Sequence, residues 1–359
     1  SKDRTLRLWN VDDGSPRGRP AVHDAEVVAV AFSPDSARVI SGAADGTLGR
    51  WDTRDAEPAG YLLGHCLAIT AIGFSAGGER VVTAGADGEI RLWRGDDPGI
   101  HDVIATGPEP VRFLQFATDS RRLAVGTRDG TLTLLDAWGD VELASHRAPS
   151  GIWESFAATA DSSWMAAGSK RGSIMLWNEA RGIERLVGGA HGRGVKALAF
   201  SADGARLLSV GGDGAAKLWD PETGEPVAEL VGHDGRATCV ATSPDGALAA
   251  TGSTDGTVRV WRLADGEAVA VCDSGGEVHG VAFAPDGAIL AVACDDENVA
   301  IHDPRRGTLL ERRPIALGRV RSVVFSPDGT RLATTHGVPT TMLWDTADWT
   351  QAAVLPGHN

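Results

Sequence analysis

Between Ala190 and Asp220 the chain reads AHGRGVKALAFSADGARLLSVGGDGAAKLWD, and within it stand His191, Ser209 and Asp213. These are the side-chain types of a nucleophilic hydrolase: a hydroxyl that attacks, an imidazole that takes its proton, and a carboxylate that orients the imidazole. Counted back from Trp219, the three lie 28, 10 and 6 residues upstream. The same offsets place His23, Ser41 and Asp45 ahead of Trp51, and His65, Thr83 and Asp87 ahead of Trp93. They also place His233, Thr251 and Asp255 ahead of Trp261. A hydrolase needs one nucleophile beside one substrate, with donors for the developing oxyanion. Four copies, two of them with Thr for Ser, suit a repeated hydrogen-bond relay instead: Trp donates, Ser or Thr relays, His donates and accepts, Asp accepts. No residue is assigned a catalytic role.

The elements that position these groups follow from the same ruler. Trp9, Trp51 and Trp93 are 42 residues apart, as are Trp177, Trp219 and Trp261. Leu135 fills the slot between Trp93 and Trp177, His302 falls one residue early after Trp261, and Trp344 lies 42 beyond it. Such a period marks a repeat architecture, and it changes the meaning of every local motif. Each unit has an apolar run ending in a turn such as FSPDS (32–36), FSADG (200–204) or FSPDG (325–329). A second run leads to an Asp-Gly turn, and a third ends at the Trp, as in GTVRVWR (256–262). A fourth run, for example EPVAELVGH (225–233), precedes the next unit. Short runs separated by turn residues every 8–12 positions predict antiparallel strands and an all-β fold.

Trp-Asp at 51–52, 219–220 and 344–345, with Gly-His at 64–65, 232–233 and 357–358, resembles the WD-repeat (Trp-Asp repeat) family over essentially the whole chain. The resemblance implies a β-propeller of four-stranded blades. Blades ending at positions 51, 93, 135, 177, 219, 261, 302 and 344 make eight, with a seven-bladed ring as the rival. Residues 1–22 read as the third and fourth strands of a partial blade in a longer array, and 23–359 as the propeller. The resemblance also implies a structural Asp-His-Ser/Thr-Trp tetrad on the four blades above. The Leu135 blade keeps Asp129 but has Val125 and Gly107 in the Ser and His slots, and the Trp177 blade has Ala167 and Arg171 in the Ser and Asp slots. The His302 blade retains Asp296, and the Trp344 blade keeps Thr334 with Val338 in the Asp slot. These four are expected to rely on apolar packing and to be locally weaker.

Composition narrows the function. A formal charge of −14 argues against nucleic-acid binding, which needs a basic footprint. No apolar run approaches a membrane span. Cys66, Cys239, Cys272 and Cys294 form no CxxC pair and read as reduced thiols of a cytoplasmic protein. Positive charge is nearly all Arg, the lysines being Lys2, Lys170, Lys196 and Lys217, which with abundant Ala and Gly suggests a bacterial source. The other histidines show no metal-ligand spacing, and no phosphate loop or nucleophile elbow occurs, so neither metal nor cofactor is expected.

In the family that the repeats resemble, partners bind the face formed by loops entering the first strand and joining the second to the third. Three slots per blade project there. One sector of them carries Arg112, Arg128, Lys170 and Lys196, with Ile152 and Trp153 beside it and Arg236, Arg319 and Arg321 on later blades. Trp153 reads either as core or as a rim anchor. A cationic sector on an acidic protein suggests capture of an acidic or phosphorylated protein or peptide segment. The expected function is a non-catalytic interaction or sensor scaffold within a larger bacterial signalling polypeptide, such as the regulatory ATPases and kinases that carry similar arrays. The alternative is a small-ligand or enzymatic site in a central channel, which would require inward-facing acids or histidines at non-repeating positions.

Overall fold

The computed structural model describes residues 2–63, 65–75, 77–78, 80–94, 101–106, 109–116, 122–136, 141–148, 152–159, 161, 163–178, 180–315, 318–338 and 340–356. The Gly64, Gly107 and 357–358 positions of the repeat lie outside these residues. Among the described residues there are strands and turns only, arranged as eight four-stranded antiparallel sheets and one two-stranded sheet. Every four-stranded sheet is a meander in chain order, so each 42-residue unit folds on itself before the next begins.

The two-stranded half-blade is β1 (Thr5–Trp9) with β2 (Pro16–Val22). The Trp51 blade follows as β3 (Val27–Phe32), β4 (Arg38–Ala43), β5 (Thr47–Asp52) and β6 (Pro58–Leu63). The Trp93 blade is β7 (Ile69–Phe74), β8 (Arg80–Gly85), β9 (Glu89–Arg94) and β10 (His101–Thr106). The Leu135 blade is β11 (Val111–Phe116), β12 (Arg122–Thr127), β13 (Thr131–Asp136) and β14 (Val141–Arg147). The later blades occupy 153–187, 195–230, 237–273, 278–314 and 320–356. Two compact units divide them: the first takes in the half-blade and the first three blades, the second runs from Glu154 through the remaining blades and also includes residues 12–14.

Burial explains why the second strands are built mainly from apolar and small residues. Met165–Ser169, Ile174–Asn178, Leu207–Gly211 and Leu290–Cys294 are buried at each residue, because both faces of the sheet are covered by neighbouring sheets. In the first unit Ile40, Leu48, Ile69, Val81 and Trp93 form one such shared layer, with Ala29, Ile72 and Phe74 packed against it. In the second unit Leu208, Val210, Leu218, Leu230, Ala249 and Trp261 form another. Burial of this kind contributes about 25 cal/mol per Å² of apolar surface. The first-to-second strand turns are closed by their Asp: in the Trp51 blade Ser33 Oγ–H donates to Asp35 at 2.5 Å and the Ala37 N–H donates to the same carboxylate at 3.0 Å. Register shifts recur at the repeated slot, between Arg50 and Trp51, Val260 and Trp261, Leu134 and Leu135, and Ile301 and His302. The bulge thus occurs under Trp, Leu or His alike, but Trp177 pairs with Glu184 in unbroken register and the shift in the Trp93 blade lies opposite Ile90 and Arg91.

Candidate functional site

In the Trp219 blade the indole N–H of Trp219 donates to Ser209 Oγ at 2.7 Å, and Ser209 Oγ lies 2.7 Å from His191 Nε2. His191 Nδ1 meets Asp213 at 3.2 Å, and the Gly192 N–H donates to the same carboxylate at 2.6 Å. Indole can only donate, so the Ser209 proton points to Nε2 and the imidazole carries its own proton on Nδ1, facing Asp213. That is the proton order of a hydrolase triad. Two facts disarm it: Ser209 is 0% exposed, and its oxygen is held inside the sheet as acceptor of the Trp219 N–H. The residues form a brace.

Two more blades repeat it. Trp93 donates to Thr83 at 2.8 Å, Thr83 meets His65 Nε2 at 2.9 Å, and His65 Nδ1 lies 3.0 Å from Asp87. Trp261, Thr251, His233 and Asp255 are joined at 2.8, 2.9 and 3.0 Å. In each of these three the carboxylate also takes the N–H of the residue after the His, from Cys66, Gly192 or Asp234. Loop and turn are thereby tied at one end of the sheet. The space is tight: a Cβ on Gly85 would lie 2.4 Å from His65 Nδ1, and one on Gly211 would lie 2.2 Å from His191 Nδ1.

The fourth predicted copy is joined only in part. Trp51 donates to Ser41 at 2.7 Å and Ser41 meets His23 Nε2 at 2.6 Å. Asp45, however, accepts from Thr47 N–H and Oγ–H, and among the described residues the buried His23 Nδ1 has no hydrogen-bond partner. Tyr61 packs edge-on against Trp51 at 5.6 Å and lies 6.4 Å from His23.

The expectation that the other four blades depend on apolar packing needs correction. The residue two before the Asp slot is small in the braced blades (Ala43, Gly85, Gly211, Ser253) but is Thr127, Ser169, Cys294 or His336 in the others. Thr127 Oγ–H donates to Asp129 at 2.7 Å, and Ser169 Oγ accepts the Ser173 N–H at 2.9 Å. The Cys294 thiol donates to Asp296 at 2.8 Å, consistent with a thiol that burial and the Asp296 charge hold up at about 12. In the Trp344 blade, Trp344 donates to Thr334 at 3.0 Å and Thr334 meets His336 Nε2 at 3.1 Å. The imidazole there comes from the second strand itself. Counting from the Trp missed it, because the count searches only the loop position. The only pointer was a His two residues after the hydroxyl.

Electrostatics follow the same frame. Burial lowers the pKa of His65, His191 and His233 below the ordinary 6.5, outweighing their Asp partners. Burial works to raise Asp87, Asp213 and Asp255, but hydrogen bonds from turn N–H groups and the facing imidazole outweigh it and keep all three low. Among the described residues, His65, Asp87 and Glu89 have ligand atoms close enough to share a cation. His65 is engaged at both nitrogens, and Glu89 pairs with Arg91 at 2.5 Å, so the trio belongs to the brace.

The residues expected to face a partner are distributed as follows. In the first unit Arg112 and Arg128 are exposed, and Trp153 is 3% exposed, which makes it a packed residue and corrects its reading as a rim anchor. Ile152 is half-buried. In the second unit Lys170, Lys196, Arg236, Arg319 and Arg321 are exposed. Lys196 pairs with Glu154 at 3.2 Å, and Arg319 approaches Asp295 at 3.6 Å, a carboxylate that also meets His279. These two cations are partly neutralised.

Two outcomes are expected. Gly211→Ala pushes a methyl group into the His191–Asp213 contact and should cost about 1–3 kcal/mol in denaturant unfolding, the usual range for an overpacked core; an unchanged midpoint would refute the tight brace. The folded chain holds its braced imidazoles neutral while the unfolded chain protonates them near 6.5. Stability from these groups is therefore fully present above pH 6.5 and lost as pH falls below it, before the carboxylates titrate. The melting temperature should drop between pH 7 and 5; a flat profile there would contradict this.

The comparisons with known proteins agree with the repeat geometry. The family described as "WD domain, G-beta repeat" matches residues 14–52, 57–94, 185–220, 224–262 and 266–303, more than half of the chain. Among curated proteins none matches. The crystal structure of the computationally designed Ika8 protein is similar at TM-score 0.69 and 24% identity, covering 90% of this chain and 97% of that one. A chain of the mitotic checkpoint complex is similar at TM-score 0.55 and 23% identity, covering 72% of this chain and 81% of that one. At such identities the two structures speak for the fold alone, that of β-propeller blades. Repeat match, blade topology and the Trp-centred braces together establish that the chain belongs to the WD40 repeat family, whose propellers are generally non-catalytic scaffolds for protein interaction.

Proposed function

We propose that this chain is a non-catalytic scaffold that captures an acidic or phosphorylated protein segment, working in the bacterial cytoplasm as one module of a larger signalling polypeptide. Four cysteines without disulfides support a reducing compartment. The observation that carries the partner reading is the end of the Leu135 blade. Val111 pairs with Thr127 across β11 and β12, and the Arg128 N–H donates to the Pro110 carbonyl at 3.0 Å. Arg112 and Arg128 are thus held at the same end of one sheet, both exposed, and among the described residues neither makes an ion pair. Two guanidinium forks without internal carboxylate partners suit a phosphate or carboxylate, which each can grip with paired charge-assisted hydrogen bonds. In the second unit Lys170, Arg236 and Arg321 are likewise exposed and unpaired among the described residues.

The test is binding of an array of acidic and phosphoserine peptides to the chain and to its Arg112→Glu/Arg128→Glu variant. Binding should weaken at least tenfold in the variant and fall with added salt. The melting temperature should stay nearly unchanged, since exposed unpaired side chains contribute little to stability. Equal binding by the variant refutes the reading.

A further inference from the structure

The turns that join first to second strands lie at the far end of those strands from the cationic slots, and they carry carboxylates. In the Trp344 blade, Arg321 stands near the start of the first strand, Val320–Phe325, and Asp328 in the turn after its end. Asp161, Asp203, Asp245 and Asp286 hold the equivalent position in the other blades of the second unit. A hydroxyl two residues earlier donates to four of the five. Thr159 reaches Asp161 at 2.6 Å, Ser201 reaches Asp203 at 2.6 Å, Ser243 reaches Asp245 at 2.5 Å and Ser326 reaches Asp328 at 2.6 Å. The remaining turn reads FAPDG, with Ala284 in the hydroxyl's place. Among the described residues Asp286 accepts only the Ala288 N–H, at 2.9 Å.

The neighbouring turn shows what such a carboxylate holds. Arg305, between the third and fourth strands of the His302 blade, reaches back to Asp245 Oδ2 at 3.2 Å. The equivalent residue of the Trp344 blade, three after the Trp slot, is Ala347. The backbones around the two places match. A Cβ on Gly287 would meet the Pro244 ring at 3.6 Å, and one on Gly329 would meet the Pro285 ring at 3.4 Å. The same stacking of turns therefore occurs twice, once with an arginine laid across it and once without.

Where the arginine is lacking there is a groove of about 500 Å³, lined by Pro285, Asp286, Ile289, Phe325, Asp328 and Thr346. Ile289 is half-buried, whereas its repeat equivalent Leu248 is 5% exposed. The two blades that form the groove are packed on a common apolar layer that includes Ala291, Ile301, Val320 and Trp344. One oxygen of Asp328 takes all its donors, from Ser326 Oγ–H and from the N–H and Oγ–H of Thr330. Oδ2 of Asp328 and Oδ2 of Asp286 have no partner, and neither residue makes an ion pair, among the described residues. Apolar walls beside two such carboxylates suit arginine: its stem covers apolar surface and its planar fork pairs with carboxylate oxygens.

We propose that this groove between the His302 and Trp344 blades docks one arginine side chain of a partner protein segment, in the place that Arg305 takes beside Asp245. The stem rests on Pro285, Ile289 and Phe325, the guanidinium meets Asp286, and Asp328 adds negative charge. The site is independent of the cationic slots. It selects a basic residue at one end of the sheets, where the slots select an acidic segment at the other.

Fluorescence anisotropy tests this with a short labelled peptide carrying one arginine between leucines, and with its lysine and citrulline twins. The arginine peptide should bind one-to-one, at least fivefold more tightly than the lysine twin, and the citrulline twin should not bind. Asp286→Asn should weaken binding at least fivefold with a nearly unchanged melting temperature, as expected of an exposed side chain. Ala347→Arg supplies the guanidinium from within and should abolish binding. The Arg112→Glu/Arg128→Glu variant should bind the arginine peptide as the parent does, so failure of the acidic-partner reading leaves this result untouched. No binding by the parent chain, equal binding of the arginine and lysine peptides, or binding that survives either Asp286→Asn or Ala347→Arg overturns the proposal.

Discussion

The hydrogen bond from the Trp indole to a hydroxyl ten residues earlier is the contact on which each braced blade depends. It crosses the two middle strands, which are covered on both faces, so neither group has water as an alternative partner. Because indole only donates, the bond sets the direction of every later proton: hydroxyl to Nε2, Nδ1 to carboxylate. The imidazole tautomer follows from that first donor, while the charge on Asp87, Asp213 and Asp255 is kept by turn N–H groups and the facing imidazole. The likeness to a hydrolase triad is real in proton order and ends at access, since Ser209 has no exposed surface.

The blades without this arrangement show that the fold constrains the filled space more than the residues that fill it. Where an imidazole enters from the loop, the position two before the Asp must be small, and at Gly85 and Gly211 even a methyl group would collide with it. Where no loop His enters, the same position grows a side chain that reaches the turn carboxylate or the hydroxyl: Thr127, Cys294 or His336. Loss of one partner is thus matched by gain of another at a neighbouring backbone position, as close packing and the cost of an unpaired buried polar group require. The matching is incomplete in two blades: among the described residues His23 Nδ1 and His336 Nδ1 are buried without a hydrogen-bond partner, and Tyr61 packs edge-on beside His23.

The period of 42 made the strand order, the sheet count and three of the four braces readable from residue offsets alone, because a repeat converts position into address. What it could not show was how a slot behaves once its neighbour changes. His23, Ser41, Asp45 and Trp51 satisfy every offset, yet Asp45 turns to Thr47. His336 satisfies none and still completes a Trp–Thr–His chain. The cationic slots were legible as residue types, but the neutralising contacts were not: Glu154 and Lys196 are one repeat apart, and their pairing depends on how adjacent first strands line up. Trp153 was open between core and rim anchor, because alternation alone does not say which face of a strand is covered; at 3% exposed it is core.

A repeated brace cannot specify a partner, since it is the same on several blades; specificity has to come from positions where the repeat is broken. The first unit has two such breaks, and they lie on different surfaces. Arg112 and Arg128 sit where a first strand begins and a second strand ends, with side chains in solvent and backbones pinned by the Val111–Thr127 pair. Val30 and Phe32 lie farther along a different first strand, on the flat of the sheet that packs against a neighbour in every later blade of the unit. The first break adds exposed positive charge at a turn end. The second leaves apolar side chains exposed on a strand face. Neither break touches the hydrogen bonds that brace the Trp93, Trp219 and Trp261 blades.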